Sequence, residues 1–206
     1  AAEPNAGHLA LAALEQSGII EGIVSQNVDG LHRRAGSSHV IDLHGSLDRV
    51  VCLECSQAYD RSAVESRVSA LNPWLDNAAE IVLAPDGDVN VTDFDRVVVP
   101  ECTVCGGILK PDVVFFGEFV PLKTYQAATS HVKRADCLLI AGSSLAVKSG
   151  LRLIEIARKK RMPIVIVNRG ETKGDKYASL KLNAGTSEVL VALAQGLGAH
   201  LYEDIE

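Results

Sequence analysis

The spacing of apolar residues changes period several times along the chain, and each change marks an element. Residues 6–16 carry apolar side chains at Leu9, Leu11, Ala12, Ala13 and Leu14 with few breakers, which predicts a helix that Gly18 is placed to end. Ile19–Val24 reads as a short strand leading into Ser25-Gln26-Asn27-Val28-Asp29-Gly30, and Val40–Leu43 as another leading into His44-Gly45. The pattern then breaks off and resumes near residue 113. Val113–Phe116 is β-branched and aromatic, hence a strand. Leu122–Arg134 is helical in composition, and Cys137–Ala141 is an unbroken apolar run ending at Gly142. Ser149–Arg161 is amphipathic, with Leu151, Leu153, Ile154 and Ile156 apolar and Arg158–Arg161 polar. Pro163–Asn168 is a further apolar strand, and Ser187–Leu197 a last helix with Glu188 in its first turn.

Apolar strands alternating with amphipathic helices predict an α/β fold, a Rossmann-like parallel sheet with helices on both faces. Ligands of such sheets bind past the carboxyl ends of the strands. Three segments there carry small or polar groups: Gln26-Asn27, Gly142-Ser143-Ser144 and Asn168-Arg169-Gly170. The interruption holds four of the five cysteines, Pro73, Pro85, Pro100 and the acidic, turn-rich run Asp86–Asn90. It predicts a small inserted domain over 51–109 within a main domain built from 1–50 and 110–206.

Apolar residues make up 47% of the 206, enough for a core, but aromatic ones only 4%, so aliphatic side chains must fill it. The net charge of −6 argues against a nucleic-acid binder, which needs a basic stripe to neutralise phosphates. The one basic cluster, Arg158–Arg161, falls at a helix end, where cations complement the dipole. No apolar stretch approaches the ~20 residues of a membrane span, and the first residues lack the pattern of a signal peptide. The expectation is a cytoplasmic monomer.

Cys52-x-x-Cys55 and Cys102-x-x-Cys105 form two matched pairs. A C-x-x-C turn lets two thiolates reach one tetrahedral metal, and two such pairs predict a structural zinc site closed by four sulfurs. Disulfides are disfavoured in a cytosolic chain, and a redox motif would not come twice in matched form. Gly106-Gly107 suits the tight turn after the second pair. Cys137, inside an apolar run, is expected to be a buried small hydrophobe.

Residue by residue, the polar segments leave alternatives open. His44 could be a general base, since histidine titrates near neutrality, or a hydrogen-bonded turn residue. Asn27 and Asp29 could touch a ligand or cap their own turn. Gly142-Ser143-Ser144 could cradle phosphate or bind nothing. His8, His32, His39, His131 and His200 read as structural.

Taken together and in order, Gln26-Asn27-Val28-Asp29-Gly30-Leu31-His32, Leu43-His44-Gly45-Ser46, the two cysteine pairs, Pro111–Glu118 and Gly142-Ser143-Ser144-Leu145 resemble the sirtuins, NAD-dependent protein deacylases. Leu43–Leu53 and Leu83–Val89 are similar to the class II branch of bacterial and mitochondrial members. The resemblance implies that Gln26, Asn27 and Asp29 line the nicotinamide–ribose pocket and that His44 is the general base. It implies that Gly142, Ser143 and Ser144 hold phosphate and ribose oxygens and that Asn168 binds the adenosine ribose. Val114, Phe116, Gly117 and Glu118 would meet the backbone of an acyl-lysine peptide as an added strand, with Val147 opposite.

The implied reaction starts with attack of the acyl oxygen on C1′ of the nicotinamide ribose, and nicotinamide leaves. His44 then activates a ribose hydroxyl for attack on the imidate carbon. Water releases free lysine and O-acyl-ADP-ribose. Sirtuins also carry an initial strand, a Gly-Ala-Gly loop and an Asp-Phe-Arg segment, none of which occurs here. The expectations that follow are a truncated form whose sheet lacks a strand and exposes an edge, and three activities to weigh: deacylation, ADP-ribosyl transfer, or non-catalytic binding of ADP-ribose or acyl-peptide.

Overall fold

Helix α1 (Ala6–Gln16) begins where Asn5 caps it. The Asn5 Oδ1 accepts from the N–H groups of Gly7 at 2.9 Å and His8 at 3.2 Å, and the Asn5 N–H donates back to the His8 ring. In chain order there follow β1 (Ile23–Ser25), α2 (Leu31–Arg34), β2 (Val40–Asp42), β3 (Gly45–Cys52), β4 (Ala58–Asp60) and α3 (Arg61–Leu71). Then come β5 (Val82–Leu83), β6 (Val89–Asn90), β7 (Leu109–Val113), α4 (Leu122–Arg134), β8 (Leu138–Ala141), α5 (Lys148–Lys159), β9 (Ile164–Val167), β10 (Leu180–Leu182) and α6 (Thr186–Gly196). This computed structural model describes residues 2–76, 82–83, 89–90 and 94–200. Most of Leu83–Val89 and of the acidic run Asp86–Asn90 lies outside the described residues.

The chain divides into two compact units, Ala1–Gly45 with Val114–Glu206, and Ser46–Val113. In the larger unit every strand pairing is parallel. β1 pairs with β2, setting Ile23 opposite Val40, and β8, β9 and β10 form a second sheet in the order β10-β9-β8. Among the described residues no strand joins β1 to β8.

Period-two alternation divides β8 between two apolar layers. Leu138 and Ile140 pack with Leu153, Ile154 and Ala157 of α5 and with Ala128 and Val132 of α4. Leu139 and Ala141 pack with Ala10, Ala13 and Leu14 of α1 and with Leu190 and Ala194 of α6. Helices therefore cover both faces, and the filling is aliphatic.

Strand boundaries differ from expectation at several places, and the first strand covers Ile23–Ser25 rather than Ile19–Val24. Val113–Phe116 is not a strand: β7 ends at Val113, and the chain turns over Phe115–Glu118 with Gly117 at φ +92°. Cys137 is exposed, because it precedes the first paired residue of β8 and so lies outside both apolar layers.

One carboxylate is buried inside the larger unit. Glu15 Oε1 accepts from the Ser38 N–H and hydroxyl and from the His39 N–H and Nδ1, all within 3.1 Å. Burial pushes its pKa up, but these bonds outweigh burial and hold the carboxyl below its usual range. Its stabilising contribution is therefore full above the pKa of the unfolded chain and is lost as pH falls through the lower folded value. Glu15→Ala should cost about 2 kcal/mol at neutral pH. Denaturant unfolding at several pH values checks this, and the deficit should shrink toward acid.

In the smaller unit β3 lies between β4, which runs antiparallel to it, and β7. Asn72 follows α3 and is fully buried. It donates to the carbonyls of Val68 and Val98, both at 2.8 Å, and accepts from the Val98 N–H at 2.7 Å, tying the segment before Cys102 to the helix.

Candidate functional site

The four cysteine sulfurs of the smaller unit all lie within 4.8 Å of one another. Cys52 and Cys105 are 3.5 Å apart, and Cys55 and Cys102 are 3.6 Å apart. Zinc–thiolate bonds of about 2.3 Å in a tetrahedron put sulfurs about 3.8 Å apart, so the set fits one zinc ion. The backbone prepares the site: the Val104 N–H points at Cys102 Sγ at 3.4 Å. Gly106 adopts φ +75°, and a Cβ at Gly107 would come within 3.0 Å of Cys52 Sγ.

The Tyr59 hydroxyl, 3.1 Å from Cys102 Sγ, leads the groups that hold the Cys102 thiol down to about 6. The Gly107 N–H favours the Cys105 thiolate, yet contacts with the Cys55 and Cys52 sulfurs push that thiol up to about 12. Sulfurs this close cannot all ionise without a cation among them. With four sulfur ligands such an ion keeps no open position for water and is structural.

A second polar constellation lies in the larger unit, at the carboxyl ends of its parallel strands. His44 follows Leu43, which is fully buried. The Leu43 N–H bonds the Ser25 carbonyl, and the His44 carbonyl accepts from the Val114 N–H, each at 2.9 Å. The His44 Nδ1 lies 3.0 Å from the backbone oxygen of Gln26. A carbonyl only accepts, so Nδ1 carries the hydrogen. In the neutral ring Nε2 then holds the lone pair, and Ser149 Oγ, at 2.9 Å, donates to it.

Gln26 links this group to the turn after β8, its Nε2 donating to Ser143 Oγ at 3.1 Å. Ser143 Oγ also accepts from the Leu145 N–H at 3.2 Å. Leu145 is buried although its φ is +56°. Gly150 and Gly174 make room for it, since added Cβ atoms would meet the Leu145 side chain at 3.3 and 2.5 Å.

Gly142 bonds the Val167 carbonyl at 2.9 Å and adopts φ +64°. A Cβ there would meet Thr186 Oγ1 at 3.3 Å. Thr186 lines an open cleft of about 360 Å³ with Asn168, Arg169, Gly185, Ser187 and Glu188. Gly142 thus lies beside Thr186 of this cleft and precedes Ser143, which bonds the Gln26 side chain, while the Gln26 carbonyl and Ser149 hold His44.

Other residues singled out from the sequence have local partners. Asn27 N–H donates to Ser25 Oγ at 3.1 Å, and Asp29 Oδ1 accepts from the Leu31 N–H at 3.0 Å at the start of α2. The Ser144 carbonyl accepts from Lys173. Asn168 Nδ2 donates to the Arg169 and Gly170 carbonyls. Phe116 is fully exposed, and the Phe115 N–H donates to Glu118 Oε2 at 3.0 Å. Val147 is the N-cap of α5, two residues before Ser149.

Sequence reasoning missed Ser149 and Thr186. Both sit in first turns of helices, where a hydroxyl residue is unremarkable by spacing alone. The His8 and His32 rings lie 4.7 Å apart, centre to centre, tilted by 55°, and burial lowers the pKa of each.

A profile of the Sir2 family matches residues 1–149. A Mycobacterium avium (strain 104) protein named NAD-dependent protein deacetylase 1 is 47% identical over 198 residues, 94% of this chain and 70% of that protein. A Bos taurus protein, NAD-dependent protein lipoamidase sirtuin-4, mitochondrial, is 47% identical over 191 residues, 91% of this chain and 60% of that protein. A solved structure described as Sir2-p53 peptide-NAD+ superposes with a TM-score of 0.76 at 33% identity, covering 97% of this chain and 72% of its own.

Proposed function

The chain belongs to the Sir2 family, and from that premise we propose that it removes acyl groups from lysine side chains while consuming NAD as a second substrate. The observation that carries the reading is His44, held by the Gln26 carbonyl at Nδ1 so that Nε2 is left as a base. NAD supplies an activated ribose and leaves as nicotinamide and an ADP-ribosyl product. The residues of this chain bind it, orient it and move one proton.

The line of polar groups from the Asn168–Thr186 cleft to His44 suits an extended dinucleotide. In this reading Asn168 meets the adenosine ribose. Gly142, Ser143 and Ser144 meet phosphate and ribose oxygens at a strand-to-helix turn. Gln26, Asn27 and Asp29 meet the nicotinamide end, with Asp29 also accepting from the Leu31 N–H. His44 accepts the proton of a ribose hydroxyl at Nε2.

Val114, Phe116, Gly117, Glu118 and Val147 receive the acyl-lysine peptide. Val114 is bonded to the His44 backbone, which ties the peptide segment to the base. Residues 1–50 with 110–206 act as the NAD-binding domain and 51–109 as the zinc-binding domain. Among the described residues no helix is long and apolar enough to cross a membrane. The thiol-rich zinc site suits the reducing cytoplasm, where we place the chain as a monomer.

The test is mass spectrometry of an acetyl-lysine peptide incubated with the protein and NAD. Free peptide together with O-acetyl-ADP-ribose is the expected result. Acetyl-peptide recovered unchanged, with NAD intact, would sink the reading.

A further inference from the structure

We propose that Ser149 is a positioning residue for His44, an inference that rests on the deacylase reading. The imidazole is held from two sides, by the Gln26 carbonyl at Nδ1 and by the Ser149 hydroxyl at Nε2, 3.0 and 2.9 Å away. The first contact fixes the tautomer, and the second fixes the ring's rotation with the lone pair of Nε2 pointing at an oxygen.

Ser149 is itself constrained. It is the second residue of α5, and its neighbour Gly150 lies so close to Gln26 that a Cβ would come within 3.1 Å of Gln26 Nε2. Gln26 backbone, His44 ring, Ser149 hydroxyl, Gly150 and Gln26 side chain therefore close a loop of contacts. The ring cannot rotate about Cβ–Cγ without breaking one of two hydrogen bonds.

Ser149 Oγ occupies the position from which a proton reaches Nε2. When the ribose hydroxyl takes that position, its proton passes to Nε2, its oxygen keeps the electron pair that forms the new bond to the imidate carbon, and the C=N π pair of that carbon moves onto the lysine nitrogen. Ser149 neither gains nor loses a proton. Its role is to keep the base aimed until that hydroxyl arrives, so it affects the step that uses His44 and not the earlier release of nicotinamide.

The experiment compares the native chain with Ser149→Ala and Ser149→Thr, measuring deacylated peptide and exchange of labelled nicotinamide into NAD. Ser149→Ala should lower kcat for deacylation about fivefold, the worth of one neutral hydrogen bond, with KM and nicotinamide exchange retained. Ser149→Thr, which keeps the hydroxyl, should restore the rate. Equal losses in both reactions would mean a merely structural role in α5 and overturn the proposal. Undiminished deacylation by Ser149→Ala, or a threonine variant as slow as the alanine one, would overturn it too. A native chain that performs neither reaction overturns the deacylase reading, and this inference with it.

Discussion

Removing zinc with a strong chelator should unfold residues 46–113 while the larger unit keeps its amide protection. Both apolar clusters lie in the larger unit. The described buried side chains of the smaller one include Val50, Val64 and Asn72 and two of the sulfur ligands, Cys52 and Cys102. The burial seen among the described residues falls short of the chain entropy of a unit this size. A structural zinc contributes about 10–16 kcal/mol in small zinc modules, comparable with the whole stability of a domain.

Metal analysis should find one zinc per chain, and Cys102→Ser should release it. Hydrogen exchange should then rise across 46–113, starting at the strands that carry the ligands. Protection of that unit unchanged after the metal has been stripped would show that Asn72 and the β4–β3–β7 sheet suffice without it.

The second large effect belongs to His44. His44→Ala should reduce deacylated peptide by about 100-fold or more, the usual contribution of a positioned general base. Nicotinamide release should survive, because the base acts after that step. The fold should also survive: the His44 backbone keeps its bond from Val114, and buried Leu43 keeps its packing. Loss of nicotinamide release in parallel would assign His44 to NAD binding instead, and unchanged product formation would remove it from the chemistry altogether.

Much of this was legible in the sequence, for identifiable reasons. The cysteine pairs were readable because tetrahedral sulfur coordination demands short, repeated spacing. β8 and β9 were readable because strands covered on both faces are continuously apolar. Val113–Phe116 misled because composition does not reveal that the chain turns at Gly117 and leaves Phe116 in solvent. Cys137 misled because an apolar run does not show at which residue pairing begins. Ser149 was invisible because its contact with His44 spans 105 residues and depends on where α5 docks. Of the two alternatives for Asp29 the structure displays the local one, since its Oδ1 accepts from the Leu31 N–H.

Leu145 carries a wider consequence. A leucine in the left-handed region costs about 1–2 kcal/mol, and it persists here because two glycines admit its side chain to the core. That plug anchors the segment between Ser143 and Ser149 to the core at Leu145. A ligand meeting those hydroxyls loses little to ordering the turn, so its association should show a small entropic penalty and a rate set by diffusion and fit.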